Sequence, residues 1–214
     1  MRDQVKLDGD VLSAPEFPDA RLNNIINQAQ KFVQIELNGL GMKKWEAVDV
    51  VTPTTGTFAG INVKISPVPT DMLESPKSIA QIEVSDGINN GLAKEVGQTN
   101  LYDVLGNTFL TPTLTQSIFA RINNKIYFAP SSISAADIHY YKRATDLSAD
   151  SDVSEIPEEF TEYIVRRSVS QVEKALGKTQ ESLAKENDLR NDIAGAYEKF
   201  VGRMNTEGNT KRLE

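Results

Sequence analysis

The spacing of apolar residues changes twice along this chain of 214 residues, and the two changes divide it into three regions. Between residues 19 and 38 apolar side chains recur with helical spacing, whereas short runs between 45 and 141 alternate apolar and polar residues. From Pro157 onward the spacing is helical again. The sequence therefore predicts an α+β fold with an N-terminal helix, a central antiparallel β-region and C-terminal α-helices.

The helical regions contain recognisable start and stop signals. Asp19 is predicted to cap the first helix, and Pro157 suits the first turn of the next helical region. Phe160 begins the apolar face of that region and is expected to anchor it to the sheet. Gly177 leaves two possibilities open, because the helix either ends there, with Thr179 capping a second helix, or continues as one rod.

The clearest strand pairing is a hairpin at residues 117–130. Its two alternating runs flank the two-residue loop Asn123–Asn124, and asparagine tolerates the positive φ of a hairpin turn. A strand at 137–143 is predicted to join this hairpin in an antiparallel sheet. Residues 86–112 are rich in Gly, Asn, Thr and Pro and are predicted to form a long projecting loop. Trp45 is expected to be a core residue.

These patterns predict four segments along the chain. Residues 1–18 are predicted to be an extended N-terminal arm, and 19–145 a helix joined to the β-region with its long loops. Residues 146–204 form the C-terminal helical region. The last segment, 205–214, lacks apolar periodicity and is predicted to be a flexible tail.

The charge and composition of the chain exclude several classes of function. The net charge of −7 disfavours a DNA-processing surface. The same charge is compatible with the wall of a channel through which DNA slides, because such a wall must not bind DNA tightly. The absence of cysteine excludes disulfides and thiolate metal sites. Neither a signal peptide nor an apolar run of about 18 residues is present, so the chain is expected to be made and used in soluble form.

Motifs for catalysis or metal binding are absent or weak. His139 is the only histidine, it lies in a predicted strand, and no Gly-x-Ser-x-Gly motif accompanies it. The acidic residues Asp146, Asp150, Asp152 and Glu155 suggest a calcium loop, but the glycine of an EF-hand is missing. A solvated loop whose side chains cap the following helix is the favoured interpretation. We therefore predict a protein that is not an enzyme and has no cofactor and no metal.

Three short clusters are predicted to contact a partner, because tyrosine and arginine are enriched at interfaces. The alternatives are burial of one tyrosine with exposure of the other in the first cluster, and disorder in the C-terminal cluster. The predicted interface residues are Tyr140, Tyr141 and Arg143, then Arg166 and Arg167, then Lys211, Arg212 and Leu213.

The link between the last strand and the next helix has a distinctive order of residues. A closing strand with two tyrosines is followed by a Leu-Ser-x-Asp turn and then by Ile-Pro-x-x-Phe at the start of the helix. The residues are Tyr140, Tyr141, Leu147, Ser148, Asp150, Ile156, Pro157 and Phe160. This order resembles the C-terminal half of the head–tail connector (adaptor, or head-completion) proteins of tailed bacteriophages. The resemblance extends to the first 40 residues and to 117–176, and it is poor across 45–112.

The resemblance implies a structural virion protein, made in the bacterial cytoplasm. About a dozen copies would form a ring below the portal protein, extend its DNA channel and present a platform for a tail or second ring protein. Helix 157–176 and residues 180–214 would face the portal, and 86–112 would make lateral or tail-side contacts. Ring interfaces of this kind are heterologous, so each copy presents two different patches. DNA would be a partner only in passage, and no membrane is involved.

Two other functions stay open. One is a second-tier ring or tail-completion protein of a short-tailed phage, which would bind tail proteins without portal. The other is a non-enzymatic surface-binding module on the β-region, which would need an exposed aromatic platform. Aromatic residues make up only 7% of the chain.

Overall fold

The chain folds into two compact units. The helical unit comprises Met1–Lys43 with Ala144–Glu214, and the β-unit comprises Lys44–Arg143. The computed structural model describes residues 1–8, 18–75, 78–107, 109–149 and 152–210. The mixed α+β class is as predicted, but the N-terminal helix belongs with the C-terminal helices, whereas the sequence grouped it with the β-region in 19–145.

The described ranges contain α-helices, β-strands and two short 3-10 segments, Leu114–Gln116 and Glu158–Phe160. The helices are α1 (Arg2–Asp8), α2 (Asp19–Gly39), α3 (Gln98–Gly106), α4 (Thr161–Ala175) and α5 (Thr179–Thr210). The strands are β1 (Glu46–Val51), β2 (Thr54–Phe58), β3 (Ile61–Pro67), β4 (Ile79–Ser85), β5 (Asn90–Leu92), β6 (Lys94–Glu95), β7 (Ile118–Ile122), β8 (Lys125–Ala129) and β9 (Ala135–Tyr141).

Helix α2 lies in the helical unit because its apolar stripe packs against α4 and α5. Buried residues such as Leu22, Ile26 and Val33 follow helical spacing along one face. The predicted cap at Asp19 is wrong. Pro18 occupies the N-cap position, and its carbonyl accepts the backbone N–H of Leu22 at 3.1 Å.

Helix α1 replaces part of the predicted extended arm. Residues 2–8 are helical, and α1 packs against α2 and α4. Val5 is fully buried, so burial of this side chain accounts for the order of the segment. Lys6 Nζ lies 2.8 Å from Asp19 Oδ1. Residues 9–17 lie outside the described residues.

The C-terminal region is two helices rather than one rod. Gly177 has a φ of +89°, a left-handed conformation that favours glycine, and it separates α4 from α5. Helix α5 continues to Thr210, so 205–210 are helical where the sequence predicted the start of a flexible tail. The predicted interface residues at 211–213 lie outside the described residues.

The strands of the β-unit form two sheets with the orders β1-β9-β4-β5 and β2-β3-β8-β7-β6. The β7–β8 hairpin is confirmed, with Asn123 at a φ of +55°. The prediction that the next strand joins this hairpin is wrong. Strand β3 pairs with the free edge of β8, and β6 pairs in parallel with β7, so both hairpin edges are occupied. Strand β9 pairs instead with β1 and β4 in the other sheet.

Both sheets contribute to one buried cluster, which includes Ile82 and Ile138 from one sheet and Phe119 and Phe128 from the other. Trp45 is also buried, as predicted. Residues 86–112 are not one long loop, because they contain β5, β6 and α3.

Candidate interaction surfaces

The segment that carries the Leu-Ser-x-Asp motif is fastened to α2 by amide side chains. Asn27 Nδ2 donates to the Leu147 carbonyl at 3.1 Å, and Asn27 Oδ1 accepts the Leu147 N–H at 2.8 Å. One turn earlier, Asn23 Nδ2 donates to the Ser148 carbonyl at 3.0 Å. The helical spacing of these two asparagines therefore matches consecutive peptide groups of the segment.

Two glutamines continue this series at the buried end of the segment. Gln30 Nε2 donates to the Thr145 carbonyl at 2.8 Å, and Gln30 Oε1 accepts from Ser154 Oγ at 2.6 Å. Gln34 Oε1 accepts the Ala144 N–H at 3.0 Å. Both glutamine side chains are buried, and these bonds satisfy polar groups that water does not reach. We call residues 144–156 the strap.

Asp152 closes a turn within the strap. Its Oδ2 accepts the N–H groups of Ser148 at 2.7 Å and Ala149 at 2.8 Å, and the Ser148 hydroxyl at 3.0 Å. These donors hold the pKa of Asp152 below its usual value, because they stabilise the ionised carboxylate. The residue thus acts as a cap for backbone groups of the strap.

The remaining acidic residues of the segment do not gather around a common point. Glu155 Oε1 accepts the Thr145 hydroxyl at 2.5 Å, Asp146 is exposed, and Asp150 lies outside the described residues. Among the residues that the structure describes, no group of three or more acidic or histidine side chains is placed to hold a metal ion. The prediction that these side chains cap the following helix is wrong. Asp152 caps backbone groups within the loop itself, and no described side chain caps the start of the 3-10 segment Glu158–Phe160 or of α4.

The tyrosines at the end of β9 differ in their surroundings. Tyr140 is buried, and its hydroxyl donates to Asp71 Oδ1 at 2.7 Å. Tyr141 is half-buried and Arg143 is exposed, with the Arg143 N–H donating to the Asp71 carbonyl at 2.6 Å. Tyr140 therefore stabilises the β-unit internally, and a partner contact by Tyr141 and Arg143 stays a prediction.

Burial, with the hydrogen bond to Asp71, raises the pKa of Tyr140 to about 12. A tyrosine with a raised folded pKa stabilises the protein below its unfolded pKa of 10.0, and we expect this contribution to disappear as the pH rises through about 12. Denaturation at a series of alkaline pH values measures it, with Tyr140→Phe as the control. A Tyr140→Phe variant that loses stability as steeply as the parent across this window would contradict the assignment.

Arg167 occupies an internal position between three helices. Its Nη1 lies 2.5 Å from Glu186 Oε2 on α5, and its guanidinium lies 4.5 Å from the ring centroid of Phe32 on α2. The guanidinium of Arg190 lies 5.5 Å from the same ring. Only 14% of the Arg167 side chain is exposed, so its ion pair with Glu186 and its contact with the Phe32 ring are shielded from water and stabilise the helical unit.

Arg166, the neighbouring residue, lies closer to the surface. Its Nη2 is 2.7 Å from Asp192 Oδ2, and its guanidinium is 5.6 Å from the Tyr163 ring centroid. Almost half of its side chain is exposed. A partner contact by Arg166 therefore stays a prediction.

The two arginines provide a matched pair of substitutions. We expect Arg167→Ala to lower the free energy of unfolding by about 1–2 kcal/mol, since it removes a shielded ion pair and a cation–π contact. Arg166→Ala should cost no more than about 1 kcal/mol, because its ion pair is exposed. Urea denaturation of both variants checks this order, and a larger loss for Arg166→Ala would refute it.

Several large apolar side chains project from the structure, most of them within 86–112, for which the sequence predicted partner contacts without naming residues. They lie in turns and loops among polar residues, where no periodicity marks them, and they include Ile88, Phe109, Leu110 and Val153. Phe109 is 94% exposed, and Leu110 follows it directly. Adjacent exposed apolar residues indicate an interaction surface more often than isolated exposed residues do.

His139 lies on the outer face of the β1-β9-β4-β5 sheet. Its Nε2 is 3.8 Å from Glu83 Oε1, and both side chains are partly solvated. This position fits a polar surface residue. Within the described ranges, no helix is long and apolar enough to cross a membrane.

The architecture thus combines a strap fastened to α2 with two units that carry exposed apolar side chains. A family model described as the SU10 adaptor protein matches residues 1–212. The chain belongs to the SU10 adaptor family. The match includes residues 45–112, where the resemblance read from the sequence was poor. It places this SU10 adaptor among phage structural adaptor proteins, as the sequence predicted. No curated protein matches the chain.

Proposed function

We propose that this SU10 adaptor forms a ring that connects the portal vertex of the capsid to the tail and extends the DNA channel. The observation that supports the proposal most strongly is the family match over residues 1–212, which spans both units. A ring of about a dozen copies requires two complementary patches on each chain. The role is structural, with no catalytic step and no cofactor.

The charge of the helical unit supports passage of DNA without binding. Residues 144–165 contain seven carboxylates and no lysine or arginine. Phosphate binding depends on clustered basic side chains, so a segment of this composition does not favour DNA binding. We infer that DNA contacts the adaptor only in passage.

The helical unit also offers apolar side chains for a portal contact. Leu183 and Met204 on α5 are 50% and 57% exposed. Helical apolar side chains of this kind suit a groove on a partner protein. We infer that α5 carries the portal contact, in agreement with the arrangement that the resemblance implies.

Capture of portal protein by the tagged full-length chain tests this function. The portal protein and the tail proteins of the same phage are offered together to the chain and to a Leu183→Ser/Met204→Ser variant, with Val50→Ser as the matched control. Val50 is 72% exposed on β1, so its replacement changes surface apolarity without touching α5. We expect the wild type and the control to retain portal, and the double variant to bind at least about 10-fold more weakly.

The other outcomes of this capture are equally informative. Retention of tail proteins without portal would overturn the portal contact and indicate a second-tier ring or tail-completion protein. Equal portal binding by all three chains would contradict the assignment to α5. Retention of neither portal nor tail proteins would contradict the proposed function.

A further inference from the structure

The β-unit carries an apolar projection in and after α3. Leu101 is fully buried and anchors α3, which packs on β7. Beyond this anchor, Tyr102, Phe109 and Leu110 are 58%, 94% and 54% exposed. We call these three exposed residues the projection. Its base is therefore fixed, while its apolar side chains lie in solvent.

A groove of about 670 Å³ lies beside the turn that follows β7. Its apolar lining includes Pro67, Val68, Pro69 and Met72. Arg121 lies on the polar side of the groove, and its Nη1 and Nη2 donate to Ser78 Oγ at 2.8 Å and the Ser75 carbonyl at 3.1 Å. The groove is thus preformed, and its volume suits one or two large apolar side chains.

Different segments of the chain form the projection and the groove. Asn123, which lines the groove, directly follows the last residue of β7. The projection lies in and after α3, which follows β6 and packs on β7. Because the two patches are different, contact between them in a head-to-tail row of copies is heterologous.

Charged residues near the two patches offer one exposed pair of opposite sign. Residues 95–117, which contain the projection, include Glu95 and Asp103 and no lysine or arginine, and Lys94 directly precedes them. The groove is lined by one basic and one acidic residue, Arg121 and Glu74, and Lys125 lies in the adjoining hairpin. Asp103 and Lys125 are both exposed. Opposite charges of this kind select a partner and fix its register.

The area of the projection suits the centre of an interface. A large aromatic side chain buries about 150–250 Å². With Phe109 almost fully exposed and Tyr102 more than half exposed, the projection offers on the order of 300 Å² or more for burial. A stable interface covers about 800 Å² of each partner, so the projection supplies its apolar anchor and the surrounding polar surface supplies the rest.

We propose that the projection of one copy docks into the groove of the next copy and forms the repeating contact of the ring. This inference rests on the proposed ring function and adds the surfaces that build it. Phe109 is the main anchor, and the pair of patches makes each copy both donor and acceptor of the contact.

Disulfide trapping tests the contact directly, because the chain has no cysteine of its own. Full-length Leu110→Cys and Thr70→Cys chains, which both keep Phe109, are made separately, mixed, assembled with the portal protein and oxidised. Thr70 lies in the lining of the groove and is exposed. We expect a disulfide between the two chains, and none when Ile88→Cys, from the turn between β4 and β5, replaces Leu110→Cys.

Assembly measurements give a second, independent result. We expect Phe109→Ser to weaken association of copies by at least about 10-fold, whereas Ile88→Ser, from an equally exposed site, leaves it unchanged. Asp103→Lys and Lys125→Glu should each weaken assembly, and their combination should restore part of it. Sedimentation with circular dichroism separates these effects from misfolding.

The outcomes distinguish the contact from the function on which it rests. If the wild type assembles but no disulfide forms and Phe109→Ser assembles normally, the contact is refuted and the ring stands. If the wild type forms no ring with or without portal protein, the ring function fails, and this contact fails with it.

Discussion

Replacement of Phe160 by alanine is expected to lower the free energy of unfolding by about 3–5 kcal/mol. The side chain is fully buried, and its ring centroid lies 5.6 Å from that of Phe200 on α5 and 6.3 Å from that of Tyr163 on α4. Truncation removes this apolar surface and leaves a cavity where three aromatic rings meet. These ring contacts all lie within the helical unit, although the sequence predicted that Phe160 anchors the helix to the sheet.

The control for this measurement is the same substitution at Phe109. Because Phe109 is 94% exposed, Phe109→Ala should change the free energy of unfolding by no more than about 0.5 kcal/mol. Urea denaturation followed by circular dichroism measures both variants. A loss below about 1 kcal/mol for Phe160→Ala would refute the packing described here.

Replacement of Gln34 by leucine is expected to lower the free energy of unfolding by about 2–3 kcal/mol. The leucine side chain is similar in shape, but it cannot accept the Ala144 N–H that now lies 3.0 Å from Gln34 Oε1. Since this bond is buried, water does not replace it and the N–H is left unsatisfied. We also expect faster amide hydrogen exchange in the strap.

Asn23→Leu is the matched control on the same helix. Its bond to the Ser148 carbonyl is exposed, so water can take the place of the lost donor. We expect a loss of no more than about 1 kcal/mol. Equal losses for Gln34→Leu and Asn23→Leu would show that burial does not set the strength of the strap contacts.

The elements with strong local signals were predictable from the sequence. The apolar spacing in α2 specified its buried face, and Asn123 specified the turn of the β7–β8 hairpin. For Gly177 the sequence left two possibilities, a helix stop or part of one rod, and its left-handed φ of +89° between α4 and α5 decides for the stop. In each case the residues that determine the structure lie within a few positions of one another.

The arrangements that depend on distant residues were not predictable. The choice of β1 and β4 as partners of β9 depends on which edges other strands already occupy, and no local pattern records this. Arg167 lies off the apolar face of α4 and was assigned to an interface, yet Glu186 and Phe32 enclose it. In the sequence, the asparagines and glutamines of α2 resemble an ordinary polar helix face. Their hydrogen bonds to the strap depend on residues more than 100 positions away.

Native mass spectrometry of the adaptor bound to its portal protein tests the central claim most directly. The account predicts one closed assembly with about a dozen copies of the chain, and no substantial population of partly filled rings. That result would also fit the heterologous contact between neighbouring copies. A complex with one or two copies per portal assembly, or a chain that stays monomeric beside intact portal, would contradict the account.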